Sequence, residues 1–274
     1  MQFFSTATAR IFVLLLGFCL VLQTAEARKN NASRKKHNVE LDAPEPDPMV
    51  PLTLPQRPVA AVPEAGDPLA IRYGCREGID VSHYQGTIDW HEVATKGEVA
   101  YVYIKATEGS TIQDDCYDYN IHEARKAGLK VGSYHFFRAN TSIDEQLRNM
   151  TAVVKKEDQD LVPIIDVELT NRVSSSAMVQ KLKTFLERVT QYYGCKPILY
   201  TFVNFYNKHF AGHSAFDEYP LMIAFYRDYQ PELNDGRKYI IWQYTAEGDV
   251  PGIDGNCDQS QIVEGSSLGD ILMR

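Results

Sequence analysis

The chain has 274 residues, 44% of them hydrophobic and 11% aromatic, with a formal net charge of −8. That size supports one sizeable core, so a single barrel-sized domain fits. The acidic balance argues against nucleic acid as a partner, because a phosphate backbone calls for a basic face.

Residues 1–27 read as a signal peptide or an uncleaved anchor. Arg10 precedes an apolar run from Ile11 to Leu22, and Ala25-Glu26-Ala27 is a small-x-small cleavage pattern. The run is too short for a comfortable membrane span, so membrane attachment would rest on residues 11–22 alone. Arg28, Lys29, Arg34, Lys35 and Lys36 follow, and positive charge there resists translocation. Residues 28–72 lack periodicity and hold eight of the 13 prolines, the composition of an extended, disordered linker. The folded domain is expected over 73–274.

That domain alternates short apolar runs with helical patterns. Strands are predicted at Gly78–Ser82, Tyr101–Ala106, Lys130–Phe137, Val162–Glu168, Pro197–Thr201, Leu221–Tyr226, Tyr239–Tyr244 and near Asp258–Ile262. Helices are predicted at Trp90–Lys96 behind an Asp89 cap, at Tyr117–Ala127 before Gly128, and after a Ser142/Glu145 capping pattern. A fourth carries the stripe Val179, Leu182, Leu186, Val189 and Tyr193 before Gly194, and a short fifth spans Asn204–His209. Repeated β-α units imply a parallel sheet with right-handed crossovers. The fold class is therefore α/β, an irregular TIM-like barrel with eight strands and about five helices, short of helices in its second half.

The run Leu161-Val162-Pro163-Ile164-Ile165-Asp166-Val167-Glu168 organises the rest. An apolar stretch of this kind suits a strand covered on both faces. Alternation puts Asp166 and Glu168 on one face, with Cα atoms roughly 6–7 Å apart. At the C-terminal end of a barrel strand such a pair sits where barrel enzymes place their chemistry. Asp80 ends the first strand and Asp258 belongs to the last, so four acids converge at one mouth. Like-charge repulsion raises the proton affinity of at least one, as a general acid at neutral pH requires. Carboxylate pairs among aromatic side chains are the usual apparatus of glycoside hydrolysis. Tyr84, Tyr103, Tyr134, Tyr200, Tyr226, Trp242 and Tyr244 supply the aromatics. His135 reads as a hydrogen-bonded core residue, and Lys105 pairs with an acid or snorkels to the rim.

Cys75, Cys116, Cys195 and Cys257 follow the leader, which holds Cys19. An even count in an exported protein predicts two disulfides, with three pairings open. Their spacing fits no zinc site, so no metal and no cofactor is expected.

Gly78-Ile79-Asp80-Val81-Ser82-His83-Tyr84-Gln85-Gly86 with Asp89-Trp90 resembles the opening motif of the family 25 glycoside hydrolases, the Chalaropsis-type lysozymes. Tyr101 to Gly109, Gly132 to Phe137, Asp166-Val167-Glu168, Ile223 to Tyr226, Trp242-Gln243-Tyr244 and Gly252 to Asp258 follow in the family's order. The likeness spans about 78–260. It implies a barrel of eight strands and five helices that cleaves the β-1,4 bond between N-acetylmuramic acid and N-acetylglucosamine in peptidoglycan. It further implies Glu168 as general acid and Asp166 as nucleophile or as the group orienting the substrate's acetamido. Asp80 and Asp258 would complete the acidic cluster, while Tyr134, Tyr226, Trp242, Gln243, Tyr103 and Lys105 would hold the sugar. Met222 and Cys257 depart from the family's usual residues. The expected partner is a peptidoglycan glycan strand, met by an exported monomer. A different class, a catalytically silent wall-glycan-binding protein, has no physical reason to keep four mutually repelling acids. A chitinase-like barrel lacks its extra acids here, since Val162 and Ile164 occupy their places.

Overall fold

A computed structural model describes residues 75–274. The leader, the linker, Cys19 and the first two residues of the expected domain lie outside them.

Among the described residues there are nine strands and five α-helices, which alternate through the first half of the barrel. The strands are β1 (Glu77–Val81), β2 (Tyr101–Glu108), β3 (Ile112–Gln113), β4 (Lys130–Phe136), β5 (Ile164–Asp166), β6 (Ile198–Phe202), β7 (Leu221–Ala224), β8 (Ile241–Gly248) and β9 (Cys257–Ile262). The helices are α1 (Trp90–Lys96), α2 (Tyr117–Lys126), α3 (Ile143–Val153), α4 (Ser175–Tyr193) and α5 (Val203–His209). Eight strands close a barrel in the order β1-β9-β8-β7-β6-β5-β4-β2, with β1 also pairing β2. The ninth, β3, is a two-residue hairpin partner of β2 at the rim.

The predicted irregular α/β barrel is therefore the observed one, with one correction to its direction. Strand β9 runs antiparallel to both β1 and β8. No helix separates β8 from β9, and without a crossover the chain returns the opposite way. The acidic strand is also shorter than its apolar run, ending at Asp166. Its extended path continues nonetheless. Val167 N–H donates to Tyr200 O at 3.0 Å, and Phe137 N–H to Asp166 O at 2.8 Å.

Local chemistry sets the helix ends. Asp89 accepts from Glu92 N–H at the start of α1. Ser142 and Ser174 do the same for α3 and α4, and Gly194 closes α4 in the left-handed region at φ 80°. The predicted stripe of α4 is buried whole. Each such side chain contributes roughly 1.5–3 kcal/mol by leaving water.

Two apolar cores result. One lies between the barrel and its helices, and includes Ile79, Val102, Ile104, Ile165, Val167 and the α4 stripe. The other fills the barrel itself, with Tyr101, Tyr103, Ile198, Ile241 and Ile262. Tyr101 and Tyr103 are fully buried. Their rings lie over glycines of the flanking strands: a Cβ on Gly78 would meet the Tyr101 ring at 2.2 Å, and one on Gly132 the Tyr103 ring at 2.5 Å. The tyrosine hydroxyls are satisfied by Ser260 Oγ at 2.9 Å and Val162 O at 3.2 Å. These two rings plug the barrel below the acids.

The two expected disulfides do not form: Cys75, Cys116, Cys195 and Cys257 are all free. Cys75 and Cys195 both pack against the barrel core without bonding to each other. Cys116 stands at the start of α2, Cys257 packs in the helix-side core, and the Cys75 thiol donates to Glu98 O. A parity count carries no geometry, and a bridge needs specific Cα and Cβ separations. Among the described residues no helix is long and apolar enough to cross a membrane.

Candidate active site

At the C-terminal ends of the parallel strands a cavity of ≈ 240 Å³ opens. All four predicted acids line it. Asp80 arrives on β1 and Asp258 on β9, directly opposite in the antiparallel register. Asp166 ends β5, and Glu168 follows two residues on. Val167 between them is fully buried in the helix-side core, so the alternation read from the sequence persists beyond the strand.

Crowding and burial shift all four carboxyls upward. Burial, with Asp258 nearby, pushes Glu168 up to about 7. Burial and Glu168 hold Asp166 well above the usual carboxylate range, and burial and Asp258 do the same for Asp80. Asp258 is raised by burial. One oxygen of Asp166, Oδ1, is buried without a hydrogen-bond partner. A buried acceptor left unsatisfied costs about 1–3 kcal/mol, a cost that a hydrogen-bond donor entering the cavity would remove.

Gln243 organises the β1–β8 side. Its Nε2 donates to Asp80 Oδ2 at 2.8 Å. Its Oε1 accepts from Tyr200 Oη at 2.8 Å and Tyr226 Oη at 3.0 Å. The side chain is buried, so it fixes three cavity residues rather than presenting itself as a sugar-binding face. Tyr134 and Tyr226 both line the cavity.

Two other expectations are corrected by position. Trp242 does not line the cavity. It neighbours Gln243 on β8, and adjacent strand residues point to opposite faces. Its indole N–H donates to Phe225 O at 2.9 Å, and its ring lies 5.6 Å from Tyr244. Tyr103 lies in the cavity floor, fully buried, and offers no open face for stacking.

Lys105 lines the cavity in an ion pair with Glu108 at 2.8 Å. A β-bulge between Lys105 and Thr107 makes this possible. In a regular strand residues three apart face opposite ways, and the extra residue brings both to the mouth. Arg138 Nε also donates to Glu108, at 3.0 Å, and its guanidinium lies 4.5 Å over the Phe136 ring. Lys105 and Arg138 both favour the ionised form of Glu168, offsetting part of its upward shift. Neither Glu108 nor Arg138 was marked by a sequence pattern; the i,i+3 charge spacing after the strand was the available signal. His135 is a buried core residue, as predicted. It sits 2.7 Å from Thr107 Oγ1, and burial pushes it down to about 4.

Residues 79–253 match the model of the glycosyl hydrolases family 25. The uncharacterized protein YegX of Escherichia coli K12 is 35% identical over 185 residues, covering 66% of this chain and 67% of that one. An autolytic lysozyme of Clostridium acetobutylicum is 34% identical over 197 residues, covering 72% of this chain and 59% of that one. The solved structure of a family 25 glycosyl hydrolase from Bacillus anthracis superposes with a TM-score of 0.63 at 31% identity, over 71% of this chain and 91% of that one. An eight-stranded barrel with four acids at its mouth and a family model spanning most of the described domain lead to one assignment: the chain belongs to the glycosyl hydrolases family 25 and is a glycoside hydrolase.

Proposed function

We propose that this glycoside hydrolase is a 1,4-β-N-acetylmuramidase, cutting peptidoglycan between N-acetylmuramic acid and N-acetylglucosamine. The observation that carries the reading is the pairing of Glu168, pushed up to about 7, with an Asp166 whose buried Oδ1 has no partner. The lysozyme name borne by the clostridial relative supports the substrate class.

Protonated Glu168 gives its proton to the glycosidic oxygen as the bond to the anomeric carbon breaks. Asp166 Oδ1 accepts the N–H of the substrate's 2-acetamido group, whose carbonyl oxygen then attacks the anomeric carbon. In the other variant, Asp166 attacks that carbon itself. Glu168, now a carboxylate, takes a proton from the water that resolves the intermediate. Burial and the nearby Asp258 keep Glu168 protonated, Asp80 completes the acidic cluster beside Asp258, and Tyr134 and Tyr226 flank the sugar. Since this substrate lies outside the cytoplasm, the reading includes export of the chain.

Digestion of purified peptidoglycan, borohydride reduction and mass spectrometry test this. Reduced muramic acid at the new ends is the expected result. Reduced glucosamine ends, or no solubilisation, would overturn it.

A further inference from the structure

Tyr84 stands apart from the groups used so far. It follows β1 in a short 3-10 turn, His83–Gln85, and lines the cavity while remaining 81% exposed. A single exposed tyrosine is ordinary on a protein surface. What is not ordinary is how firmly this one is held.

Its ring is backed by the His83 imidazole, with centroids 4.1 Å apart and planes 37° from parallel. His83 is itself clamped by Asp114, a buried carboxylate just past β3. Asp114 Oδ2 accepts the His83 backbone N–H at 3.0 Å and lies 2.7 Å from its Nδ1. Asp114 Oδ1 accepts Cys116 N–H at 3.0 Å. On the other flank, Ser82 N–H donates to Gln85 Oε1 at 2.9 Å, and Gln85 Nε2 to Asn256 O at 3.3 Å. The turn is thus fastened to the β2–β3 hairpin on one side and to the β8–β9 connection on the other. The hairpin is latched in turn by Asn149 of α3, which donates to Gly109 O and Ile112 O, both at 3.0 Å.

A rigid aromatic face at a cavity edge is already ordered, so a flat apolar ligand can lie on it with little further entropy cost. The C–H face of a pyranose ring has that shape. We propose that Tyr84, braced by His83 and Asp114, is a stacking platform for a sugar beyond the disaccharide that is cut, making the enzyme selective for longer glycan strands. This rests on the muramidase reading and extends its substrate from a bond to a chain length.

The test uses a Glu168→Gln background, so that ligands survive, and reduced peptidoglycan glycans of two, four and six sugars. Calorimetric affinities should rise by about 10-fold at one length step, the size of a single aromatic contact. Tyr84→Ala should abolish that step and Tyr84→Phe should keep it. His83→Ala should shrink it while leaving disaccharide affinity in place. In the active enzyme the Tyr84→Ala loss should appear in KM for long strands. Equal affinities at all lengths, or a Tyr84→Ala loss that is the same at every length, would overturn the platform while leaving the muramidase reading intact. Failure of every glycan to bind would overturn both.

Discussion

Asp80 and Asp258 face each other across the β1–β9 seam, paired in register at their Cα atoms. The seam that closes the barrel is therefore also the line along which two carboxyls are forced together. Closure with an antiparallel strand and the electrostatics of the mouth are one structural fact. The charge they share reaches Glu168, whose proton affinity is raised by burial and then by Asp258.

Glu168→Gln should lower kcat by about 10²–10⁴, the usual contribution of a positioned general acid. The change is nearly isosteric, so the folded state should survive. Proton NMR of the first product of the parent enzyme should show the β-anomer, because two acids two residues apart favour the short separation of a retaining pair. An α-anomer would reverse the assignment of roles.

The pH dependence has a definite sign. As the proposed general acid Glu168 must be protonated to act, so kcat/KM should fall tenfold per unit above about pH 7. Stability follows the same proton. The folded state keeps it up to about 7, while the unfolded chain releases it near the ordinary value of 4.5. That contribution is complete below 4.5 and lost as pH rises through 7. At pH 8, Glu168→Gln should unfold at a higher temperature than the parent, by up to about 3 kcal/mol. At pH 4, below the ordinary carboxyl value, the two scans should nearly coincide.

Gln243→Leu should remove one donor from Asp80 and one acceptor from both Tyr200 and Tyr226. Three buried or half-buried polar groups lose their partner together. Stability should drop by roughly 1–3 kcal/mol and kcat/KM by at least about tenfold. An unchanged kcat/KM would remove Gln243 from the site.

Gly132→Ala should destabilise the barrel by about 1–3 kcal/mol, since its Cβ would lie 2.5 Å from the Tyr103 ring. Urea denaturation measures the cost. Adding Tyr103→Leu should recover part of it, and the double-mutant cycle isolates the contact. Simple additivity would show that the cost lies elsewhere.

Alkylation of the denatured, unreduced protein should label all of Cys75, Cys116, Cys195 and Cys257. Mass spectrometry reads the labels by peptide. Protection of any pair from alkylation would restore the disulfide expectation.

Which parts were legible follows from the range of each signal. The apolar runs of β2, β4 and β6 and the α4 stripe are local, and they marked the elements with small boundary errors. The four acids were legible because each lies near a strand end or just past one, and a barrel gathers strand ends whatever its details. The direction of β9 was not, since a strand's residues carry no arrow. Neither was the two-residue β3, which is too short to show a period. The bulge in β2 reversed the facing of Glu108 without any change in composition. Trp242 was misplaced for a simpler reason: it and Gln243 are neighbours on one strand, so only one could face the mouth. Gln243's role depends on partners far along the chain, and spacing alone does not reveal such meetings.

The tyrosine plug has a consequence for proton traffic. Tyr101 and Tyr103 are fully buried beneath the acids, and their hydroxyls are engaged with Ser260 and Val162. The rings fill the barrel axis beneath the acids, and the cavity at the mouth is the opening that all four carboxyls line. With a glycan bound there, the proposed acid at the mouth would depend on the groups and water held beside it for its protons. In the proposed mechanism, the proton that Glu168 gives away is restored by the water that completes the cut.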